Sequence, residues 1–331
     1  MLLAVNSIAH LLVDAVCACT VFSCTGDISA LILVYNTLAF STQCLTGLAA
    51  DRFFGFNARI EAAACAAVAL GGLLPLPPMI KIIIVGLGNS VFHVCGGAET
   101  LFSSGGRAAP LGIFVAPGAI GLALGTMFPG TKTLFGAALI LFALLVIFAA
   151  ARTPRMLNIR PRAEKTAPAW LPLLLLLAVA ARAVGGTAAD FPWKNTAALS
   201  LITVLCVFAG KAAGGFAMDT WGAKKTALIS IPLAAVCVAF GSTYMLPSLL
   251  GQLLLNLTMP VTLWLIYLAL PDSPGFAFGL AASALWPGTL AGGMIKLSGA
   301  WQSALILVSF SFGLAAIFIA AKKLEKEGSM Q

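Results

Sequence analysis

His10 and Asp14 stand four residues apart inside an apolar run, where a charge is costly unless it is paired or faces water. That spacing puts both side chains on one face of a helix, with Asn6 one turn earlier on the same stripe. A carboxylate beside an imidazole can take up and release a proton near neutral pH. His93, the other of the two histidines, lies in a second apolar run with Asn89 one turn before it. It is read either as a cavity group or as a histidine hydrogen-bonded to a neighbouring helix. Arg182 sits in a third such run, 168 residues after Asp14. An acid and a base at matched depth can act as a coupled pair, with Arg182 attracting an anionic group and Asp14, modulated by His10, carrying protons. The alternative is a static salt bridge that holds the two halves together. Gln252 and Asn256 share a face at the same four-residue interval and suit either a polar pocket or a helix interface.

The elements that position these residues follow from composition. The chain has 331 residues, mean hydropathy +1.03, 60% hydrophobic and 9% charged side chains, where a soluble domain carries roughly 25% charged residues. A water-soluble fold is excluded, and so is any appended catalytic domain of ordinary size. The apolar blocks lie near 3–23, 28–49, 60–76, 79–102, 108–127, 133–151, 169–187, 196–213, 226–244, 249–269, 276–295 and 301–321. Each approaches the ~20 residues that a membrane helix needs. The expected fold is an all-α integral membrane protein of twelve transmembrane helices. The first block lacks a basic leader and is expected to be span one, not a cleaved signal.

Lys and Arg concentrate in alternate short loops, which places both termini in the cytoplasm of a multi-pass inner or plasma membrane protein. The basic stretch at 152–165 then reads as a linker beside anionic lipid, not as a nucleic-acid site. It divides the chain into an N-terminal six-helix bundle (1–151), a cytoplasmic linker (152–168) and a C-terminal six-helix bundle (169–331). A repeat supports that division. Gly47, Asp51, Arg52 and Arg59 after span two are echoed by Gly215, Asp219, Gly222, Lys224 and Lys225 after span eight, with the two aspartates 168 residues apart. Six spans per unit make the repeat parallel. The glycines would let helices approach closely. Each aspartate is placed to accept hydrogen bonds from a helix N-terminus or to pair with a base, as a latch that breaks when the halves rock. Lys211, one turn before Gly215, is read as snorkelling toward the membrane edge, with a cavity-facing position as the alternative, and Gln43 as offering a hydrogen bond to a pocket.

Both Asp loops and the twelve-block layout resemble the major facilitator superfamily. His10-Leu-Leu-Val-Asp14, Gly86-Leu-Gly88-Asn-Ser-Val-Phe-His93, Gly121-Leu-Ala-Leu-Gly125 and Pro274-Gly-Phe-Ala-Phe-Gly279 resemble its fosmidomycin-resistance-like branch. The resemblance implies a secondary active transporter working by alternating access, with drug export in the nearer branch. Together the readings give a proton-coupled carrier of a small organic solute, anionic if Arg182 meets it, working as a monomer without cofactor or metal and not as an enzyme. An exporter of mainly apolar compounds and a non-transporting receptor with the same fold are the alternatives. The eight cysteines lie mainly in apolar runs without metal-ligand spacing, and no phosphate-binding Gly-x-x-x-x-Gly-Lys-Ser/Thr segment serves ATP.

Overall fold

The structure, a computed structural model, describes residues 1–54, 58–152 and 167–326. Residues 153–166 of the expected linker, with Arg155, Arg160, Arg162 and Lys165, lie outside the described residues, as does Gly55 of the first Asp loop. All described regular structure is helical: α1 (Leu2–Ser23), α2 (Ile28–Asn36), α3 (Gln43–Ala49), α4 (Ala58–Leu73), α5 (Pro78–Ser103), α6 (Ala109–Val115), α7 (Pro117–Met127), α8 (Lys132–Arg152), α9 (Trp170–Ala188), α10 (Ala197–Gly241), α11 (Met245–Ala269), α12 (Pro274–Met294) and α13 (Gly299–Lys326). Among the described residues, nine helical segments are long and apolar enough to cross a membrane. Large apolar side chains such as Leu134, Leu141 and Leu144 on α8 point outward. Such a surface suits lipid, and the helices satisfy their own backbone groups as hydrocarbon requires.

Three places depart from straight helices, each for a local reason. The α2–α3 segment contains a π-helical stretch at Thr37–Ser41 and continues into another at Ala50–Phe54. Ser283 of α12 inserts at the first: its hydroxyl donates to the Phe40 carbonyl at 3.0 Å and accepts from the Cys44 N–H at 3.0 Å. One hydroxyl thus bridges an i, i+4 pair that would otherwise bond directly. Pro117 separates α6 from α7, because proline supplies no N–H to the preceding turn. Finally, α10 is two helices meeting at Gly222, whose φ of 77° and ψ of 166° lie where a side chain would be strained. The loop expected there is a single-residue corner.

Packing falls into two groups. Helices α1, α4, α5, α7 and α8 pack on one another, and α9 to α13 form a second set. The sets meet chiefly where α3 lies on α12 and α6 on α10. Glycine makes these crossings close. A side-chain carbon on Gly47 would collide with the Gly275 backbone, and one on Gly215 with the Ala108 and Ala109 backbone.

Candidate functional site

A cavity of about 330 Å³ lies between the two sets of helices. Its lining is mostly apolar, including Phe40, Val207, Met259, Leu263 and Phe278, with His10, Asp14, Gln43, His93, Arg182 and Lys211 as its main polar groups. The polar groups are segregated by element.

On one wall, α1 and α5 bring His10, Asp14, Asn89 and His93 together. The Nε2 atoms of His10 and His93 are 2.8 Å apart. Asp14 Oδ2 is 3.3 Å from His10 Nε2, and Oδ1 is 3.7 Å from His93 Nε2. Asn89 Nδ2 donates to Asp14 Oδ1 at 3.0 Å. The far side of each imidazole is anchored on a backbone carbonyl: His10 Nδ1 on Phe114 at 2.8 Å, His93 Nδ1 on Asn89 at 2.9 Å. Phe114 lies in the last turn of α6 before the break at Pro117, where helix carbonyls lack their usual partners. The break therefore helps supply the anchor for His10. There is no room for a side chain at Gly118, where one would strike His10 and Asp14. The imidazole and carboxylate atoms fall within 4.8 Å of one another, close enough to raise the question of a metal. However, two nitrogens bound at 2.0–2.1 Å in tetrahedral geometry stand about 3.3 Å apart. The 2.8 Å separation is instead that of a hydrogen bond.

The facing wall is cationic. Arg182, buried on α9, donates through Nη1 to Thr258 Oγ1 of α11. Its stem packs over Gly313. Among the described residues no carboxylate pairs with it, so Asp14 and Arg182 share the cavity without forming the salt bridge that sequence left open. Lys211 of α10 also lines the cavity, close enough for its charge to act on both Asp14 and His93, and no hydrogen bond or ion pair engages its ammonium among the described residues. The snorkelling expected of Lys211 is therefore corrected: its helix faces the cavity at that position. A sequence signal for it existed, since the 168-residue offset that relates Asp14 to Arg182 also relates Gln43 to Lys211. No such signal marked Thr258 or the Phe114 carbonyl.

Gln252 and Asn256 are not brought to the cavity. They share a stripe of α11 with Met259 and Leu263, which do line it, but stand toward the other end of the helix, Gln252 seven residues and Asn256 three residues before Met259, about 10 Å and about 5 Å along the axis. The Asn256 amide bonds to the Gln252 carbonyl at 2.8 Å, and its Cβ lies where Gly210 of α10 leaves no room for a side chain. Asn6 also misses the cavity, donating to Glu61 Oε2 at 3.4 Å.

The two aspartate loops lie away from the cavity and engage helix N-termini. Asp51 accepts from the N–H groups of Gly275 and Phe276 at 3.0 and 2.7 Å, at the start of α12. Asp219 accepts from Ala108 and Ala109 at 2.7 and 3.0 Å, at the start of the α6–α7 segment. Each joins one set of helices to the other, where dipole and N–H groups favour an anion. The bases of the motifs take no part in these contacts: Arg52, Arg59 and Lys225 are exposed, and Lys224 pairs with Glu325 of α13.

No protein-family model matches the chain, and no curated protein matches it. Solved structures do. A variant of the E. coli fucose:proton symporter FucP superposes with a TM-score of 0.66 at 11% identity, covering 98% of this chain and 97% of that one. FucP in the outward conformation, described as a major facilitator superfamily transporter, gives 0.66 at 14% identity over 97% of each chain. At such identities the likeness speaks to the fold alone, and this chain has the multi-helix membrane fold of that superfamily.

Proposed function

From this fold, we propose that the chain is a secondary active transporter that moves a small organic anion with an apolar body by alternating access, coupled to protons. The observation that carries the reading is the division of charge in the cavity. Asp14 is satisfied within its own wall by His10, His93 and Asn89, whereas Arg182 and Lys211 opposite lack an acidic partner among the described residues. A solute carboxylate, phosphate or phosphonate supplies what the cationic wall lacks, and the apolar lining receives the rest of the molecule.

Twelve spans follow if α10 is divided at Gly222 and the shorter or less apolar α4 and α12 are counted with the other candidates. Two parallel six-helix units, 1–151 and 169–331, are supported by the reciprocal latches. Asp51 reaches from one unit to α12 of the other, and Asp219 returns the contact to α6. Both latches belong to one end of the bundle, which the distribution of Lys and Arg places in the cytoplasm with both termini. In this state the cytoplasmic end is shut. The protein works as a monomer in the inner or plasma membrane.

Membership of the fosmidomycin-resistance-like branch is supported by the role of the residues that carry that likeness: His10, Asp14, Asn89 and His93 form one cluster, and Gly275 and Gly279 make the α12 crossing. The mostly apolar cavity also favours an amphipathic compound over a sugar. Counterflow in proteoliposomes tests the reading. Aryl and branched-alkyl carboxylates and phosphonates are expected to exchange saturably, their neutral amides not, and Arg182→Gln to lose the preference. Equal exchange of acids and amides, or none in the intact protein, would overturn it.

A further inference from the structure

The hydrogen bonds of the two histidines fix a count of protons. Each Nδ1 faces a backbone carbonyl, at 2.8 Å for His10 and 2.9 Å for His93. A carbonyl only accepts, so each Nδ1 carries its hydrogen. A neutral imidazole with hydrogen on Nδ1 has a bare lone pair on Nε2. Two such lone pairs cannot approach to 2.8 Å, yet the Nε2 atoms stand at that distance. One further proton between them turns the clash into an N–H···N bond, and the pair then bears a single positive charge. Asp14 stands beside this bond as an acceptor, taking the Asn89 amide on Oδ1 and lying 3.3 Å from His10 Nε2 through Oδ2.

We propose that His10 and His93 hold one proton jointly between their Nε2 atoms, with the Asp14 carboxylate as its counter-charge, and that this proton is the coupling ion. The functional half of the statement rests on the transport reading above, while the location of the proton does not. It also shifts the carrier from the carboxylate, which the sequence favours, to the imidazole pair. Other ionisable or charged groups near the pair are Cys17 on α1 and Tyr35 on α2 behind Asp14, Arg182 on α9, and Lys211 on α10. Phe114 on α6 brings its carbonyl and its uncharged ring, 4.9 Å from the His10 ring between centroids, and Gly118 on α7 brings only backbone.

Release is a proton transfer from Nε2 to water or to a base on the solute, with no change of oxidation state. It leaves two neutral rings with opposed lone pairs and Asp14 without its cation, so α1, α5 and the Phe114 turn of α6 cannot keep their present spacing. The three elements named belong to one side of the cavity, and α6 carries at its start the N–H groups held by Asp219. Loss of one proton is thereby linked mechanically to a latch. An anion entering at Lys211 and Arg182 adds negative charge opposite the pair and favours retention of the proton; its departure favours release.

The chain has only two histidines, which makes the test direct. Full-length protein labelled with nitrogen-15 in its imidazoles is examined in lipid by solid-state NMR, without added solute and with a metal chelator present. The expected spectrum has both Nδ1 sites protonated and one proton correlated with both Nε2 nuclei. His10→Gln or, if that variant does not fold, His93→Gln should remove the shared signal and leave a single ring. Two neutral rings without a common proton, or a proton confined to Asp14, would overturn the assignment. So would a pair that converges only after a divalent cation such as Zn²⁺ is added in place of chelator. With the shared proton present, proton movement driven by an aryl carboxylate should fall by about 10²-fold in either variant. Undiminished movement would overturn the coupling role, and the absence of carboxylate exchange in the unmodified protein would sink the transport reading while leaving the proton where NMR places it.

Discussion

Replacing Asp219 by Asn should open the end of the molecule that the latches close. Each latch consists of two N–H bonds to one carboxylate, at 2.7 and 3.0 Å for Asp219 and at 3.0 and 2.7 Å for Asp51. These are charge-assisted bonds, contributing about 1.5–3 kcal/mol each in net terms. Asparagine keeps one acceptor oxygen, turns an amide N–H toward a backbone N–H, and removes the charge at a helix N-terminus. One bond plus the dipole interaction amounts to about 2–3 kcal/mol, which shifts the balance between closed and open states by roughly 30- to 150-fold. Asp51→Asn should match it, since its geometry is the same. The two latches share no residue, so the double variant should approach about 4–6 kcal/mol. Spin labels in a cysteine-free background would read this, at exposed Arg107 and Thr220 beside one latch and at Arg52 and Asp272 beside the other. Distances should lengthen at both pairs even when only one aspartate is changed, because one rocking motion breaks both. A change confined to the substituted latch, or populations within about twofold of the unmodified protein, would refute the reasoning.

Three further outcomes follow from particular contacts. Ser283→Ala removes the hydroxyl that bridges the Phe40 carbonyl and the Cys44 N–H; thermal unfolding in detergent should show a loss of about 1–3 kcal/mol, unless the backbone relaxes to an ordinary α-turn that a structure would reveal. Gly222→Val forces a β-branched residue to a φ of 77° and should cost about 1–2 kcal/mol or more by the same measurement, while Gly130→Val, at an open position of ordinary φ, should not. Lys211→Gln and Arg182→Gln should each weaken binding of an aryl carboxylate by about 10- to 100-fold in calorimetry, with little effect on its amide; equal losses for both compounds would mean that the cavity reads shape and not charge.

Much of this was legible in the sequence, and the limits have physical causes. Apolar block length located nearly every helix, because the bilayer sets it. The turn from α10's first helix to its second was anticipated as a loop; a lone glycine at positive φ suffices, and φ has no sequence signature beyond the residue's identity. Asp51 and Asp219 could be singled out as capping or pairing groups, but their partners lie 224 and 111 residues away, a distance that only the packed fold closes. Four-residue spacing put His10 with Asp14 and Asn89 with His93, since one helix contains each pair. That the pairs meet is tertiary. The same spacing left Gln252 and Asn256 open between a pocket and a helix interface, because periodicity gives the face of a helix and not the height at which the cavity opens. Lys211 shows the converse, since an amphipathic side chain near a helix end suits both lipid edge and cavity, and only the mate relationship with Gln43 could have separated them.

The most direct test of the account is made on sealed vesicles that contain the protein and an internal pH indicator, with equal pH on both sides and an imposed gradient of an aryl carboxylate. Coupled transport predicts a saturable change of internal pH, acid for symport or alkaline for antiport, which is absent with the neutral amide and in Arg182→Gln. Equilibration of the carboxylate while internal pH stays constant would contradict the claim that one proton and one anion share this cavity's cycle.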